Sequence, residues 1–474
     1  MRAHLVYRFG EFELDPANRQ LTAGPQSVCL TDPQSALLLQ LVANAPDVVD
    51  KDALAKAGWG GMAVSDNSVE QAISCLRRAL SRDADQSFIE TVRHRGYRFV
   101  ASIQRLDRPD DALAAHAGLN AYDAFRQGRR ELATLRRDAL PDACRAFEQT
   151  IAHDARLAPA HAALGMTCAL MFEASRVDSA CDLEALQRAV HHTRLATTID
   201  GACADGWSSL GFALYLEGDT DAAAAAARKS VALERDGWRH WLRLAYVNWG
   251  EERIEAAQAA LALHPKLALA YWLKATVLIA RSAFDAALFP IAAGCAAQDE
   301  QRINPGPYPA VGLHLLHGLV LAAQDRLDEA MREFECELGE PNHGQLYARE
   351  CAANTWYAVG AVHLRRAEHD AAMMSFKHAL DIARGHYFSM AALGLPIPSL
   401  SSSDPRAADV VIARAITLAR EGRHCDAAEV YRGLITSGPP ANAGWMLPVE
   451  PLLHVSAHPD IWNDALTIVR QRAS

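Results

Sequence analysis

The sequence predicts a mainly α chain: a small α+β head followed by an α-solenoid of stacked helix pairs. Three observations carry this. At 474 residues the chain is longer than one hydrophobic core organises, so two or more domains are expected. A short signature recurs eight times after residue 140, at spacings of 30–56 residues, which marks a repeat array. The charge also divides unevenly. The first 108 residues balance thirteen Lys/Arg against thirteen Asp/Glu, so the whole net charge of −10 falls on the remainder. A neutral head on an acidic body points to two different tasks.

The head opens with "YRFGEFELDPANRQLT", where Phe9, Phe12 and Leu14 have strand character and "DPANR" is a turn. "LTDPQSALLLQLVANAP" is the first helix. Thr31 or Asp32 caps it, Pro33 fits its first turn, and Ala36, Leu37, Leu41 and Val42 form its apolar face. "VDKDALAKAGW" is the second, with Asp50 as its cap, and "SDNSVEQAISCLRRALSR" is the third. In the third, Val69, Ile73, Leu76 and Leu80 fall at i, i+4, i+7 and i+11, a single inward stripe. Asn67, Gln71, Ser74 and Arg78 lie opposite it, with Cys75 at the edge and Arg77 on the flank. That outer face is rich in hydrogen-bonding groups rather than in the Glu/Lys pattern of simple solvation.

"FIETVRHRGYRFV" (88–100) then reads strand, turn, strand, with Arg93, His94 and Arg95 at the tip. Charge at the point furthest from a core costs that core nothing, and there it can meet a polyanion. Three helices followed by a basic hairpin fit a winged helix-turn-helix. Its third helix would enter the major groove and its hairpin would reach phosphates or the minor groove. An ordinary small domain with a solvated basic loop is the plainer alternative.

The span 7–104 resembles the OmpR/PhoB-type winged-helix effector domain. The matching pieces are "YRFGEFELD" for the N-terminal sheet, "LTDPQSALLLQLVAN" for the first helix, "SVEQAISCLRRAL" for recognition and "FIETVRHRGYRFVA" for the wing. The resemblance implies DNA-facing positions at Asn67, Ser68, Gln71, Cys75 and Arg77. In the wing it implies Thr91 and Tyr97 toward phosphates and Arg93 toward the minor groove. Cys75 stands where phosphate-regulon regulators have a base-reading arginine, and a thiol cannot make that bidentate contact with guanine, so a different target is expected. The loop "WGGMAVSD" (59–66) corresponds to the family's RNA polymerase contact, but it is glycine-rich and slightly shorter.

"RLDRPDDALAAHAG" (105–118) reads as a linker. Beyond it the signature appears as "PDACR" at 141, "LEALQ" at 183, "TDAAA" at 220, "IEAAQ" at 254, "FDAAL" at 284, "LDEAM" at 327, "HDAAM" at 369 and "CDAAE" at 425. Each follows a helical segment with Gly or Ala where two helices must approach. Small residues let the pair cross closely, aromatic residues fill the gaps, and stacking is obligatory because no pair buries its own face.

The body resembles a tetratricopeptide-repeat (TPR) solenoid of roughly seven or eight irregular repeats, 119–398. A last pair and C-terminal cap follow over 399–474, after the Pro/Ser-rich break "GLPIPSLSSSDPR" (394–406), which is expected to be a mobile loop. Positions that line the concave side of such stacks map to Phe212, Tyr215, Tyr246, Trp249, Trp272 and Tyr357. That gives an aromatic groove suited to a protein segment, a peptide, an apolar small ligand or a second copy of the chain, and unsuited to an acidic tail. Packing of the same rings between repeats is the alternative.

No phosphate-binding loop, zinc-protease helix or nucleophile elbow is present, so no enzymatic activity is expected. Ten scattered cysteines without CxxC spacing read as reduced core thiols. "HLLH" (314–317) offers two histidines without a third ligand in sequence, so no metal and no cofactor is expected. The opening "MRAHLVYRFGEFEL" lacks an apolar leader core and no apolar run is long enough to span a bilayer, so a cytoplasmic protein with no membrane partner is expected. No receiver module is recognised, so any signal is expected to arrive through residues 109–474.

The combination resembles soluble activators of virulence-gene islands. It implies a one-component transcriptional regulator that binds double-stranded DNA, touches RNA polymerase through 59–66 and forms a homodimer or binds a partner through its repeats. A repeat scaffold whose winged helix docks protein instead is the alternative.

Overall fold

A computed structural model describes residues 5–15, 20–23, 26–28, 30–59, 66–80, 88–92, 95–107, 119–178, 180–303, 308–339, 344–401, 404–437 and 444–474. They form two units, 1–116 and 117–474.

In the first unit β1 (Leu5–Phe9), β2 (Phe12–Asp15), β3 (Gln20–Ala23) and β4 (Gln26–Val28) precede α1 (Asp32–Ala43), β5 (Val48–Val49), α2 (Lys51–Trp59) and α3 (Asp66–Leu80). The hairpin β6 (Ile89–Val92) and β7 (Gly96–Phe99) follows, then β8 (Gln104–Asp107). One antiparallel sheet runs β4-β3-β2-β1-β8 and a smaller one runs β5-β7-β6. The core sits between them: Phe9 meets Phe99 edge-on at 4.9 Å and Phe12 meets Phe88 at 5.7 Å.

Local chemistry explains the helices. Thr31, rather than Asp32, caps α1 in a reciprocal box: its side chain accepts from Gln34 N–H while Gln34 Oε1 accepts from Thr31 N–H at 2.9 Å. Asp50 Oδ1 accepts from Ala53 N–H at 2.7 Å to start α2. The buried face of α1 is Leu37, Leu38, Leu41 and Val42, so Leu38 takes the deep position expected of Ala36. The head also extends further than expected. Leu5–Arg8 pair with Gln104–Asp107, so residues 105–107 belong to the sheet and not to the linker. The rest of that linker, 108–118, lies outside the described residues.

The second unit is a stack of helix pairs: α4 (Leu119–Ala133) with α5 (Leu140–His153), α6 (Ala158–Ser175) with α7 (Leu183–Ile199), α8 (Ala204–Glu217) with α9 (Thr220–Leu233) and α10 (Trp238–Val247) with α11 (Gly250–Leu263). These continue as α12 (Ala268–Ala280) with α13 (Phe284–Ile303), α14 (Leu313–Ala323) with α15 (Leu327–Leu338) and α16 (Ala348–Arg365) with α17 (His369–Ile382). The short α18 (Tyr387–Leu393), the pair α19 (Ala407–Arg420) and α20 (His424–Ser437), and α21 (Pro459–Ala473) complete it. Each of the eight signature segments lies at or near the start of the second helix of a pair, and in seven of them its acidic residue falls in the first turn; in α11 the signature begins at Ile254, a turn after Gly250. Close crossing is required. A Cβ on Gly360 of α16 would lie 2.5 Å from Phe376 Cε1 of α17, so only glycine fits under that ring.

The break 394–406 falls between α18 and α19, as read, but Ile397 and Leu400 pack against the core. The stack winds far enough for its beginning to meet its later repeats. Arg137 N–H donates to Gly344 O at 2.7 Å, Leu346 N–H to Leu135 O at 2.8 Å, and Asp178 accepts from both Arg137 and Arg349. At its far end α21 packs back on α11 and α12, and Arg281 Nε donates to Ala473 O at 2.8 Å.

Candidate nucleic-acid interface

The third helix is positioned from beneath. Val69, Ile73, Leu76 and Leu80 are all buried in the head's core. That stripe fixes the rotation of α3 and turns Gln71, Ser74 and Arg78 fully outward, with Ser68, Cys75 and Arg77 half-buried along the edges. Arg78 Nη2 lies 3.4 Å from Cys75 Sγ on this face. Glu70 on the outer turn pairs with Lys51 of α2 at 2.8 Å. The side chain of Asn67 lies outside the described residues.

The wing is braced against α3 by Arg77, whose Nε donates to Ile89 O at 3.0 Å and whose Nη2 donates to the Thr91 hydroxyl at 2.7 Å. Its guanidinium also lies 5.9 Å from the Tyr97 ring centre. Gly96 is fixed by sterics. Its φ is +135° and a Cβ there would strike the Val49 backbone, so β5 can cross this close only at a glycine. Arg95 is exposed beside the tip, while Arg98 is paired with Glu90 at 2.5 Å. Arg93 and His94, and residues 60–65 of the loop compared with a polymerase contact, lie outside the described residues.

Tyr97 requires a correction. It was expected to face phosphates, but it is 5 % exposed and belongs to the core, where it floors the corner between α3 and the wing. Arg77 also differs from a simple surface cation, since at least two of its nitrogens are engaged by the wing.

The aromatic groove expected on the repeats is corrected more deeply. Phe212 and Tyr357 are 0 % and 3 % exposed, so they are core residues and line no open surface. The chain's own C-terminal segment meets Trp249, Trp272 and Tyr357. Trp445 meets Trp272 edge-on at 5.8 Å, Glu450 Oε1 accepts from the Tyr357 hydroxyl at 2.5 Å, and Trp249 packs against a cluster that includes Trp462 and Ala473. Burial pushes the Glu450 carboxyl up to about 7, even though the Tyr357 hydroxyl and the Leu452 N–H favour its charged form.

Tyr215 and Tyr246 stack edge-on at 5.7 Å, and the Tyr246 hydroxyl donates to Glu173 at 3.1 Å. Arg243 lies 4.0 Å from the Phe212 ring centre. Arg253 is buried over Trp249 and donates to the carbonyls of Ala245, Tyr246 and Asn248, which closes the C-terminus of α10. The rings are thus interwoven with buried polar groups. Sequence reading missed these partners because they lie far along the chain; Trp445 is 173 residues from Trp272.

The head therefore has the sheet, three helices and wing of an OmpR/PhoB-type winged-helix domain. Residues 25–99 match the family model described as "Transcriptional regulatory protein, C terminal". Response regulator MprA of Mycobacterium bovis (strain BCG / Pasteur 1173P2) is 33 % identical over 94 residues, 20 % of this chain and 41 % of that protein. The chain thus spans about two fifths of the length of the curated relatives it matches. The crystal structure of the Klebsiella pneumoniae RstA DNA-binding domain in complex with RstA box is 37 % identical, covering 20 % of this chain and 95 % of that one with a TM-score of 0.18. An IFIT1 monomeric mutant with Gppp-AAAA covers 73 % of this chain and 71 % of its own, at 11 % identity and a TM-score of 0.45. Among the described residues, no helix is long and apolar enough to cross a membrane.

Proposed function

We propose that the chain is a DNA-binding transcriptional regulator. In this reading α3 lies in the major groove, Gln71 and Ser74 face base edges, and Arg78, Thr91 and Arg95 contact the backbone. The observation that carries it is the outer face of α3, whose exposed hydrogen-bonding side chains stand opposite a fully buried stripe and beside a basic wing. Gln71 presents an amide that can pair with adenine through two hydrogen bonds. Arg77 acts mainly as the strut that holds helix and wing at one angle, so that both can engage one duplex.

The solenoid is the regulatory part of this reading. Of the rings expected in its groove, Trp249, Trp272 and Tyr357 meet its own C-terminal segment and Phe212 is core, which favours a partner on the remaining surface of the stack over an apolar ligand in an open groove. The test is a map of chromosomal occupancy for the full chain and for the Q71A/S74A/R78A variant. Discrete sites near promoters that vanish in the variant are expected; occupancy that is diffuse, or unchanged in the variant, overturns the reading.

A further inference from the structure

The two histidines of "HLLH" gain companions in the folded chain. Cys295 of α13, His317 of α14 and Glu333 of α15 bring a thiol, an imidazole nitrogen and a carboxylate oxygen within 4.8 Å of one another. These residues are 22 and 16 positions apart in sequence, so only the helix stacking assembles them. We propose that Cys295, His317 and Glu333 form a binding site for a divalent transition-metal ion of the zinc class.

The packing explains why the three converge. A Cβ on Gly294 would lie 2.5 Å from Leu313 Cδ1, so the glycine lets α13 and α14 approach and carries its neighbour Cys295 to the interface. Cys295 is 7 % exposed and sits in the cluster with Leu316, Leu319 and Phe334. His317 and Glu333 keep 22 % and 23 % of their side-chain surface, which leaves a way in for an ion.

The donor set selects the ion. Magnesium and calcium take oxygen ligands, whereas a mixed sulfur, nitrogen and oxygen set suits zinc and its neighbours. Zinc bonds of about 2.0–2.3 Å place tetrahedral ligands closer together than 4.8 Å, so small side-chain rotations close the site. A thiolate and a carboxylate neutralise the divalent charge within a partly buried interface, and three protein ligands leave a fourth position for water or an added ligand.

His314 is the positioning residue. Its Nδ1 lies 2.7 Å from Glu333 Oε2 and its Nε2 lies 3.2 Å from Asp299 Oδ1, so both ring nitrogens are taken by carboxylates. Glu333 Oε1, at 3.1 Å from His317 Nδ1, is the oxygen turned toward the site. On binding, the thiol proton of Cys295 and the proton between His317 Nδ1 and Glu333 Oε1 pass to solvent, the ion takes their place, and Glu333 keeps its Oε2 contact with His314. Such outer partners fix ligand orientation, and their loss weakens binding by about 10–100-fold. The bound ion would tie α13 to α14 and α15, joining the second helix of one repeat to both helices of the next. The inference stands apart from the DNA reading, since its readout is metal binding alone.

The test is cobalt titration of the full chain after chelation and desalting. About one retained equivalent is expected, with a thiolate-to-cobalt charge-transfer band, visible absorption of tetrahedral intensity, and displacement by one equivalent of zinc. C295S should lose the charge-transfer band, H317Q and E333Q should lose the tight equivalent, and H314A should weaken it about 10–100-fold. C336S/C425S, which removes two exposed thiols, should bind as the wild type does. If C295S loses its helical circular dichroism, H317Q decides in its place. No retained cobalt, a spectrum unchanged in C295S, or an equivalent that follows Cys336 and Cys425 shows an adventitious ion only and overturns the site.

Discussion

Arg77 reaches from α3 to the wing and donates from Nη2 to the Thr91 hydroxyl at 2.7 Å. One side chain therefore sets the angle between the two elements that would grip a duplex. Thr91→Val should cost about 0.5–1.5 kcal/mol locally, the usual net worth of one hydrogen bond. Arg77→Lys keeps the charge but loses the planar fork that reaches both Ile89 O and Thr91. Faster amide exchange across 89–92 in both variants is the expected readout; unchanged exchange would remove the strut.

Arg95 is exposed at the edge of the wing tip. If it neutralises a phosphate, Arg95→Ala should weaken binding to all duplexes alike and flatten the log–log salt slope by about one. Fluorescence anisotropy across a salt series measures both. A loss restricted to one sequence would instead mean that Arg95 reads bases.

Gly96→Ala should damage the wing more than any polar change there. The positive φ and the Val49 backbone in the path of a Cβ combine at one residue. Strain of this kind costs on the order of 1–3 kcal/mol. Loss of exchange protection at β5 and β7 with the solenoid unaffected is the expected pattern.

Glu450 reverses the usual pH dependence of a carboxyl. Its folded-state value lies near 7, above that of an exposed carboxylate, so between about 4.5 and 7 the folded chain holds a proton that the unfolded chain has released. Its contribution is therefore full below that window and is lost as pH rises through it, by at most about 3 kcal/mol. Glu450→Gln removes this titration while keeping a partner for Tyr357. The melting temperature of the variant relative to wild type should climb from pH 5 to 7.5; a gap that stays constant would contradict the buried state of Glu450.

Trp272→Ala should destabilise the solenoid rather than open a ligand site, because Trp445 already covers that ring. A cost of about 2–4 kcal/mol is expected for an aromatic truncation in such packing. Thermal unfolding and limited proteolysis near residue 445 would show it, with DNA affinity unchanged. A stable variant with wild-type proteolysis would mean that the C-terminal segment does not depend on this contact.

What the sequence revealed followed from periodicity. The stripe Val69, Ile73, Leu76, Leu80 fixed both the helix and its outward face, since burial at a period near 3.6 determines what is left outside. The eight signatures marked eight second helices because each packs its alanines in the same way on its partner. Strands of three or four residues such as β3, β4 and β8 left no such trace, and β8 was read as linker because its pairing partner is β1, about a hundred residues earlier. Tyr97 and the groove aromatics were misplaced for a related reason. A repeat register tells which way a ring points, but not that Trp445 or Glu450 returns to meet it.

The central claim is that the outer face of α3 reads DNA sequence. The most direct measurement is selection of binding sites from a random duplex pool by the full chain and by Q71A. The account predicts a defined motif for the wild type, and for Q71A a motif altered at one adenine-preferring position with total affinity changed less. Identical motifs from both proteins, or no enrichment by the wild type, would contradict it.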